Sequence, residues 1–200
     1  MRRRRPAISH LSPSPFVACI ESVPMVDNSA LTLPDVRRVV TGHTGDGAAT
    51  IQSDTAITSM VEPGFPGVKT VPLWTVEGMP GNDNNLKLDG TSREIPASTL
   101  GLVLPNGANF RFTDLAPGSS TPLHRTSSVD LNILISGELV AITEDGSERC
   151  LSTPGDTLIN QGTMHAWRNP GKTWTRWATV LVDAAPVVIN GQSLGVAVKP

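Results

Sequence analysis

The chain has 200 residues, 38% of them hydrophobic, and carries 16 lysines and arginines against 18 aspartates and glutamates for a net charge of −2; that suffices for one ordinary domain with a real core and some tail. Arg2 to Arg5 supply four of the basic residues, so the remainder holds twelve basic against eighteen acidic side chains, and an acidic body argues against a nucleic-acid partner, which needs a basic face. No apolar run approaches the length of a membrane-spanning helix, so no membrane partner is expected.

Residues 1–34 are rich in Pro, Ser and Arg and show no sustained periodicity, which predicts a flexible N-terminal extension ahead of a single domain at 35–200. The arginine cluster invites comparison with a transit peptide, but Pro6, Pro13 and Pro15 interrupt any amphipathic helix. A cytoplasmic location is therefore expected, with mitochondrial delivery as the alternative. Met25 offers a second possible start. Cys19 and Cys150 fit no paired or metal-binding spacing and read as reduced thiols.

From Asp35 the character changes. Arg37–His43 and Ala48–Asp54, either side of the turn-rich Thr44-Gly45-Asp46-Gly47, predict a leading hairpin with His43 in solvent beside the turn. Val71–Val76 predicts a strand that Pro72 confines to an edge or an end. Gly78–Ser98 is long and polar, with Asp-Gly and Asn-rich turns; beside a barrel mouth such a loop predicts a flap. Leu102–Leu104 and Asn109–Leu115 are further strands. In the second, Phe110 and Phe112 share one face and Arg111 and Thr113 the other, and one of these pairs belongs to the core.

The chemistry-bearing stretch is Pro117–Asn169. Alternation through Ser128–Ile135 puts Ser128, Asp130, Asn132 and Leu134 on one face and Val129, Leu131, Ile133 and Ile135 on the other. Extending the even register backwards adds Thr126 and His124, with a bend possible at Ser127-Ser128. Glu138–Leu151 reads as two short strands around Asp145-Gly146, a strong hairpin signal. His165 follows, with Trp167 and Asn169 in its register, placed to close the site from a neighbouring strand. Trp174–Asp183 and Pro186–Ile189 are again strand-like. Short strands punctuated by Gly and Pro predict a closed or nearly closed all-β architecture.

These residues carry a resemblance. Gly118, His124, Asp130 and Gly137 match the first motif of the cupin superfamily, and Gly155, Gly162, His165 and Asn169 match the second. Thr126 stands where a second histidine belongs, Asp130 replaces a glutamate, and Gln161-Gly162 replaces Pro-x-Gly. The form from His124 to Asp130, followed by Gln161 to Asn169, resembles the small single-domain cupin-domain oxidoreductases of fungal polyketide gene clusters. The resemblance implies a single cupin barrel, that is, a double-stranded β-helix or jelly roll. It also implies an enzyme of secondary-metabolite biosynthesis acting on a small organic molecule inside the barrel, and a homodimer to which the leading hairpin contributes.

For the chemistry, His124, Asp130 and His165 are the catalytic candidates, with Arg111, Thr126, Asn132 and Trp167 around the substrate. Two imidazoles and a carboxylate form a donor set for divalent iron, manganese or zinc, although Thr126 is a poor ligand. The same three residues can instead run metal-free acid/base chemistry, as in a dehydratase, decarboxylase or cyclase. A non-catalytic ligand-binding cupin is the third alternative. Arg125 has the chemistry to grip a substrate carboxylate, but its place next to His124 points it outward; Arg111 carries the same ambiguity. Nothing supports nucleophilic catalysis: there is no serine elbow, and neither cysteine neighbours a histidine.

Overall fold

The computed structural model describes residues 33–199. The expected extension, but for its last two residues, and with it Cys19 and Met25, lies outside the described residues. Val36–His43 (β1) and Ala49–Ile57 (β2) form the expected hairpin, closed at Thr44–Gly47. The ten strands that follow are Met60–Val61 (β3), Val68–Glu77 (β4), Gly107–Leu115 (β5), Leu123–Arg125 (β6), Ser128–Ser136 (β7), Leu139–Thr143 (β8), Glu148–Leu151 (β9), Thr157–Gln161 (β10), His165–Arg168 (β11) and Thr175–Asp183 (β12). A second hairpin, Val187–Ile189 (β13) with Gln192–Leu194 (β14), leads to a last strand at Ala197–Lys199 (β15).

Two antiparallel sheets result, one of six strands in the order β10-β7-β12-β5-β4-β3 and one of five in the order β15-β6-β11-β8-β9. Among the described residues helix is confined to three single 3-10 turns between β4 and β5, so the expected all-β barrel is what the chain forms. The inner faces meet over Val68, Leu115, Leu134, Leu139, Ala141, Leu151, Trp167 and Trp177, a core of aliphatic side chains closed by two indoles 5.6 Å apart.

The core fills only one end of the barrel, and the strand sequences say why. Inward positions along β7 run Ser128, Asp130, Asn132 and then Leu134, all buried, while Leu131, Ile133 and Ile135 face outward at 38–41% exposure. On β5 the aromatic pair Phe110 and Phe112 lies outside, beside β1, and Arg111 and Thr113 line the interior. Period-two alternation keeps the two sets apart, but the polar set is the one turned inward.

Local chemistry fixes the connections. Asp145 accepts hydrogen bonds from Thr143 Oγ1 at 2.6 Å and from Ser147 N at 3.0 Å, and Gly146 adopts the left-handed φ of +81° that the turn between β8 and β9 requires. Gly137 is also left-handed, and a Cβ there would lie 2.4 Å from Thr175 Oγ1. That hydroxyl donates to Glu138 O at 2.7 Å, so the close approach ties β7 and β8 to β12.

Two expectations are corrected. Residues 78–98, expected as a flap over the site, lie against β4 instead, and none of them lines the interior cavity. Arg93 donates to both oxygens of Asp83, at 2.8 and 3.1 Å, and to Thr75 O at 2.6 Å, while Gly90 packs on the Trp74 ring. These bonds staple the segment to β4, because its polar residues find partners on that strand. Cys150 is disulfide-bonded rather than a reduced thiol.

Near the apolar end Arg176 donates to Asp114 through Nε at 2.6 Å and Nη2 at 2.7 Å, with side-chain exposures of 7% and 1%. Removing one partner of so buried a pair leaves an uncompensated charge. Asp114→Ala is expected to lower stability by about 3–5 kcal/mol. Urea unfolding checks this, and an apolar replacement of both residues should cost far less.

Candidate active site

The polar end of the barrel is built at a crossing between the sheets. β6 ends at Arg125, the chain bends at Ser127, and β7 begins in the other sheet. His124 and Asp130 therefore do not share one strand face, as continuous alternation implied; the bend sends them to facing sheets. His165 on β11 is the direct cross-strand partner of His124 on β6. Their rings lie 4.4 Å apart, centroid to centroid, at an angle of 48°.

His124 Nδ1 lies 3.0 Å from Pro122 O. A carbonyl only accepts, so Nδ1 carries the hydrogen and Nε2 keeps its lone pair. His165 Nδ1 is contested: Thr163 O stands 3.0 Å away and accepts, while Asn160 Nδ2 stands 3.1 Å away and donates. Each tautomer of His165 thus satisfies one neighbour. The Asn160 amide is oriented by Thr163, whose N–H donates to Oδ1 at 3.0 Å.

Asn160 pairs in register with Asp130 across β10 and β7. Its Nδ2 donates to Asp130 Oδ2 at 2.8 Å, and Ser128 Oγ donates to Asp130 Oδ1 at 2.5 Å. Thr126 Oγ1 lies 2.8 Å from Ser128 Oγ. One chain of hydrogen bonds therefore runs from Thr126 through Ser128, Asp130 and Asn160 to His165, all of it buried.

Burial sets the charges. It pushes the His124 imidazole below its ordinary pKa, against the Pro122 carbonyl and the charge of Asp130. It pushes His165 down to about 4, helped by repulsion from His124. It raises the Asp130 carboxyl, against the hydrogen bonds from Ser128 and Asn160 and the charge of His124. At neutral pH both imidazoles are uncharged, and only one of them can readily take a proton.

They open on a cavity of about 330 Å³. Asp130, Asn132, Thr126, Thr179 and Arg111 line it with the two histidines, and Phe65, Leu100, Leu102, Trp167, Trp177 and Leu181 supply the apolar wall. Thr179 Oγ1 donates to Asn132 Oδ1 at 2.9 Å.

Comparison with known proteins follows the same lines. The chain is 34% identical over 168 residues to Oryzines biosynthesis cluster protein J of Aspergillus oryzae, covering 81% of this chain and 90% of that protein. It is 30% identical over 176 residues to the Cupin-domain-containing oxidoreductase srdB of Neurospora crassa, covering 86% of each. This chain belongs to the cupins, in the family of these fungal proteins. No protein-family model matches it. Among solved structures, the polyketide cyclase RemF of Streptomyces resistomycificus superposes with a TM-score of 0.43 at 13% identity, over 70% of this chain and 78% of that one.

All seven residues expected at the cupin's site, namely His124, Asp130, His165, Arg111, Thr126, Asn132 and Trp167, line one cavity. Arg125 points away and donates to Gly195 O at 2.8 Å, and His43 is exposed on β1. Asn169 is structural, donating to Leu115 O and Thr173 O at 2.9 and 2.8 Å. As a metal site the donor set fits poorly. Both oxygens of Asp130 already accept hydrogen bonds, and among the described residues no group of three His, Cys, Asp or Glu is placed to hold an ion.

Sequence reasoning missed Ser128 and Asn160 as partners of Asp130, and Glu62, Phe65 and Leu100 as cavity wall. Ser128 was already in the inward register. Asn160 becomes visible only once β10 is paired with β7.

Two histidines held neutral link folding to pH. The unfolded chain takes up protons near the ordinary imidazole value of 6.5, before folded His165 does so near 4. Stability is therefore intact above the ordinary value and is lost as pH falls between the two, by about 3 kcal/mol for His165. Asp130, raised, offsets part of the loss at the acid end. Melting temperatures across this range should fall for the wild-type chain and fall less steeply for His165→Gln, in which His124 still contributes.

Proposed function

We propose that this cupin is an enzyme of secondary-metabolite biosynthesis that moves a proton on a small organic molecule bound in the barrel cavity. The observation that carries the reading is the neutral, buried His124–His165 pair beside Asp130. A general base must be within reach of its proton and unprotonated at working pH, and both imidazoles meet the second condition. The part in biosynthesis is supported by the relatives, one named for the oryzines cluster.

His124 is the base, since its Nε2 holds the lone pair and Asp130 favours the imidazolium that forms. A substrate C–H or O–H bond breaks toward Nε2, its electron pair stays on the substrate, and the proton returns to another substrate atom. His165 remains neutral meanwhile, because the new charge beside it opposes a second proton. In the tautomer that carries its hydrogen at Nε2, with Asn160 donating to Nδ1, it can donate a hydrogen bond to the substrate atom that gains negative charge and stay neutral throughout. Enolisation needs no more than this. Dehydration or decarboxylation adds only the departure of water or carbon dioxide.

A second reading is favoured by the name of the N. crassa relative, a cupin-domain-containing oxidoreductase. Redox chemistry requires an electron acceptor or donor in addition to these side chains.

Replacing His124 with Gln in the producing strain decides between them. Under the first reading an intermediate accumulates that differs from the lost product by nothing, by water or by carbon dioxide. A difference of two hydrogens or an oxygen atom supports redox chemistry instead, and elemental mass spectrometry of the wild-type protein against His124→Ala then shows whether a metal accompanies it. An unchanged metabolite profile sinks both.

A further inference from the structure

We propose that the cavity takes an organic acid and that Arg111 holds its carboxylate. The inference rests on the cavity being the substrate site and names the class of molecule that enters it. Arg111 stands on β5, cross-strand from Thr179 on β12, which is in turn cross-strand from Asn132 on β7. All three line the cavity.

Its guanidinium is poorly satisfied. The side chain is 12% exposed, Nε is buried with no hydrogen-bond partner among the described residues, and the one ion-pair contact is Nη2 to Glu62 Oε2 at 3.5 Å. That distance is far outside a strong charge-assisted bond.

Three other arginines show what this fold does with a guanidinium that serves structure. Arg176 forks onto Asp114 at 2.6 and 2.7 Å. Arg93 meets both oxygens of Asp83 and the Thr75 carbonyl. Arg38 also has a bare Nε, but its terminal nitrogens bond both oxygens of Asp89 and the Leu73 carbonyl. Arg111 has one stretched contact, with its partner at the mouth, where the Glu62 side chain is 35% exposed.

A buried cation short of an anion is costly, and an arriving anion relieves that cost. A carboxylate in the place of Glu62 at Nη2 has its second oxygen within reach of the adjacent nitrogen, the two-point geometry guanidinium prefers. One arginine supplies one charge, which suits a monoanion. A phosphate dianion would bring excess negative charge toward Asp130 and Glu62 with nothing to meet it. The body of the molecule is apolar, because Phe65, Leu100, Leu102, Leu181 and Val198 make up the wall around it.

Calorimetric titration of the purified full chain at neutral pH, with cinnamate against cinnamamide and octanoate against octanamide, tests the inference. Each acid is expected to bind at least about tenfold more tightly than its amide. Arg111→Gln should remove that preference, and Glu62→Gln should tighten the acids while leaving the amides unchanged. A wild-type chain without preference for the acids overturns the inference, as does a preference that survives Arg111→Gln. If Arg111→Gln does not fold, Glu62→Gln decides, and unchanged acid affinity overturns it. His165→Gln should keep the preference; acid binding that persists where His124→Gln leaves metabolism unchanged would fell the catalytic reading and leave this one standing.

Discussion

Asp130 is 3% exposed, and it faces the interior where the two sheets close on one another. A carboxyl so placed must be satisfied from within the protein. Ser128 binds one oxygen and Asn160 the other, and each of these is itself held, by Thr126 and by Thr163. The chain of donors works only in the observed register of β7 against β10. A slip of one residue would turn Asp130 outward and bring Leu131 inside, so the carboxyl demands a unique pairing of its strands. The same chain ends on His165 and thereby orients the imidazole that faces His124.

The polar end is possible because the other end is not polar. Leu115, Leu134 and Leu139 are essentially unexposed, and with Trp167 and Trp177 they close the barrel beneath the site. Trp167 belongs to both regions: it joins the core, and its ring meets His165 edge-on with centroids 5.7 Å apart. The floor of the cavity is therefore the roof of the core. Burial that stabilises the fold also strips water from the histidines, so stability and the lowered imidazole pKa values share one cause.

What could be read in the sequence was local. Alternation in Val129–Ile135 separated the polar from the apolar set, and Asp145-Gly146 marked a hairpin, because each is decided by residues a few positions apart. Which set faces inward was a different matter. Alternation alone is symmetric, and it was the position of His124 and His165 in a resembling motif that favoured the polar face. For Phe110 and Arg111 no such aid existed, and the apolar pair lies outside. The Ser127-Ser128 pair already suggested a bend, but that the bend is a change of sheet is not something periodicity can express. Asn160 and Glu62 depend on pairings and approaches that only the folded chain creates.

Thr126 bears most directly on the chemistry, since it is where this chain departs from the motif it resembles. Read as a gap, it suggests a site that has lost a ligand. In the structure it is 1% exposed and its hydroxyl meets Ser128, the residue that donates to Asp130. The position therefore contributes to the hydrogen-bonded support of the carboxylate. An imidazole there would be bulkier and would compete for the same partners, whereas the hydroxyl can both donate and accept within one short chain. With both of its oxygens committed, Asp130 acts on His124 through its charge. This favours an imidazolium on His124 without drawing the carboxylate out of its hydrogen bonds, which is the support the proposed proton-accepting role calls for.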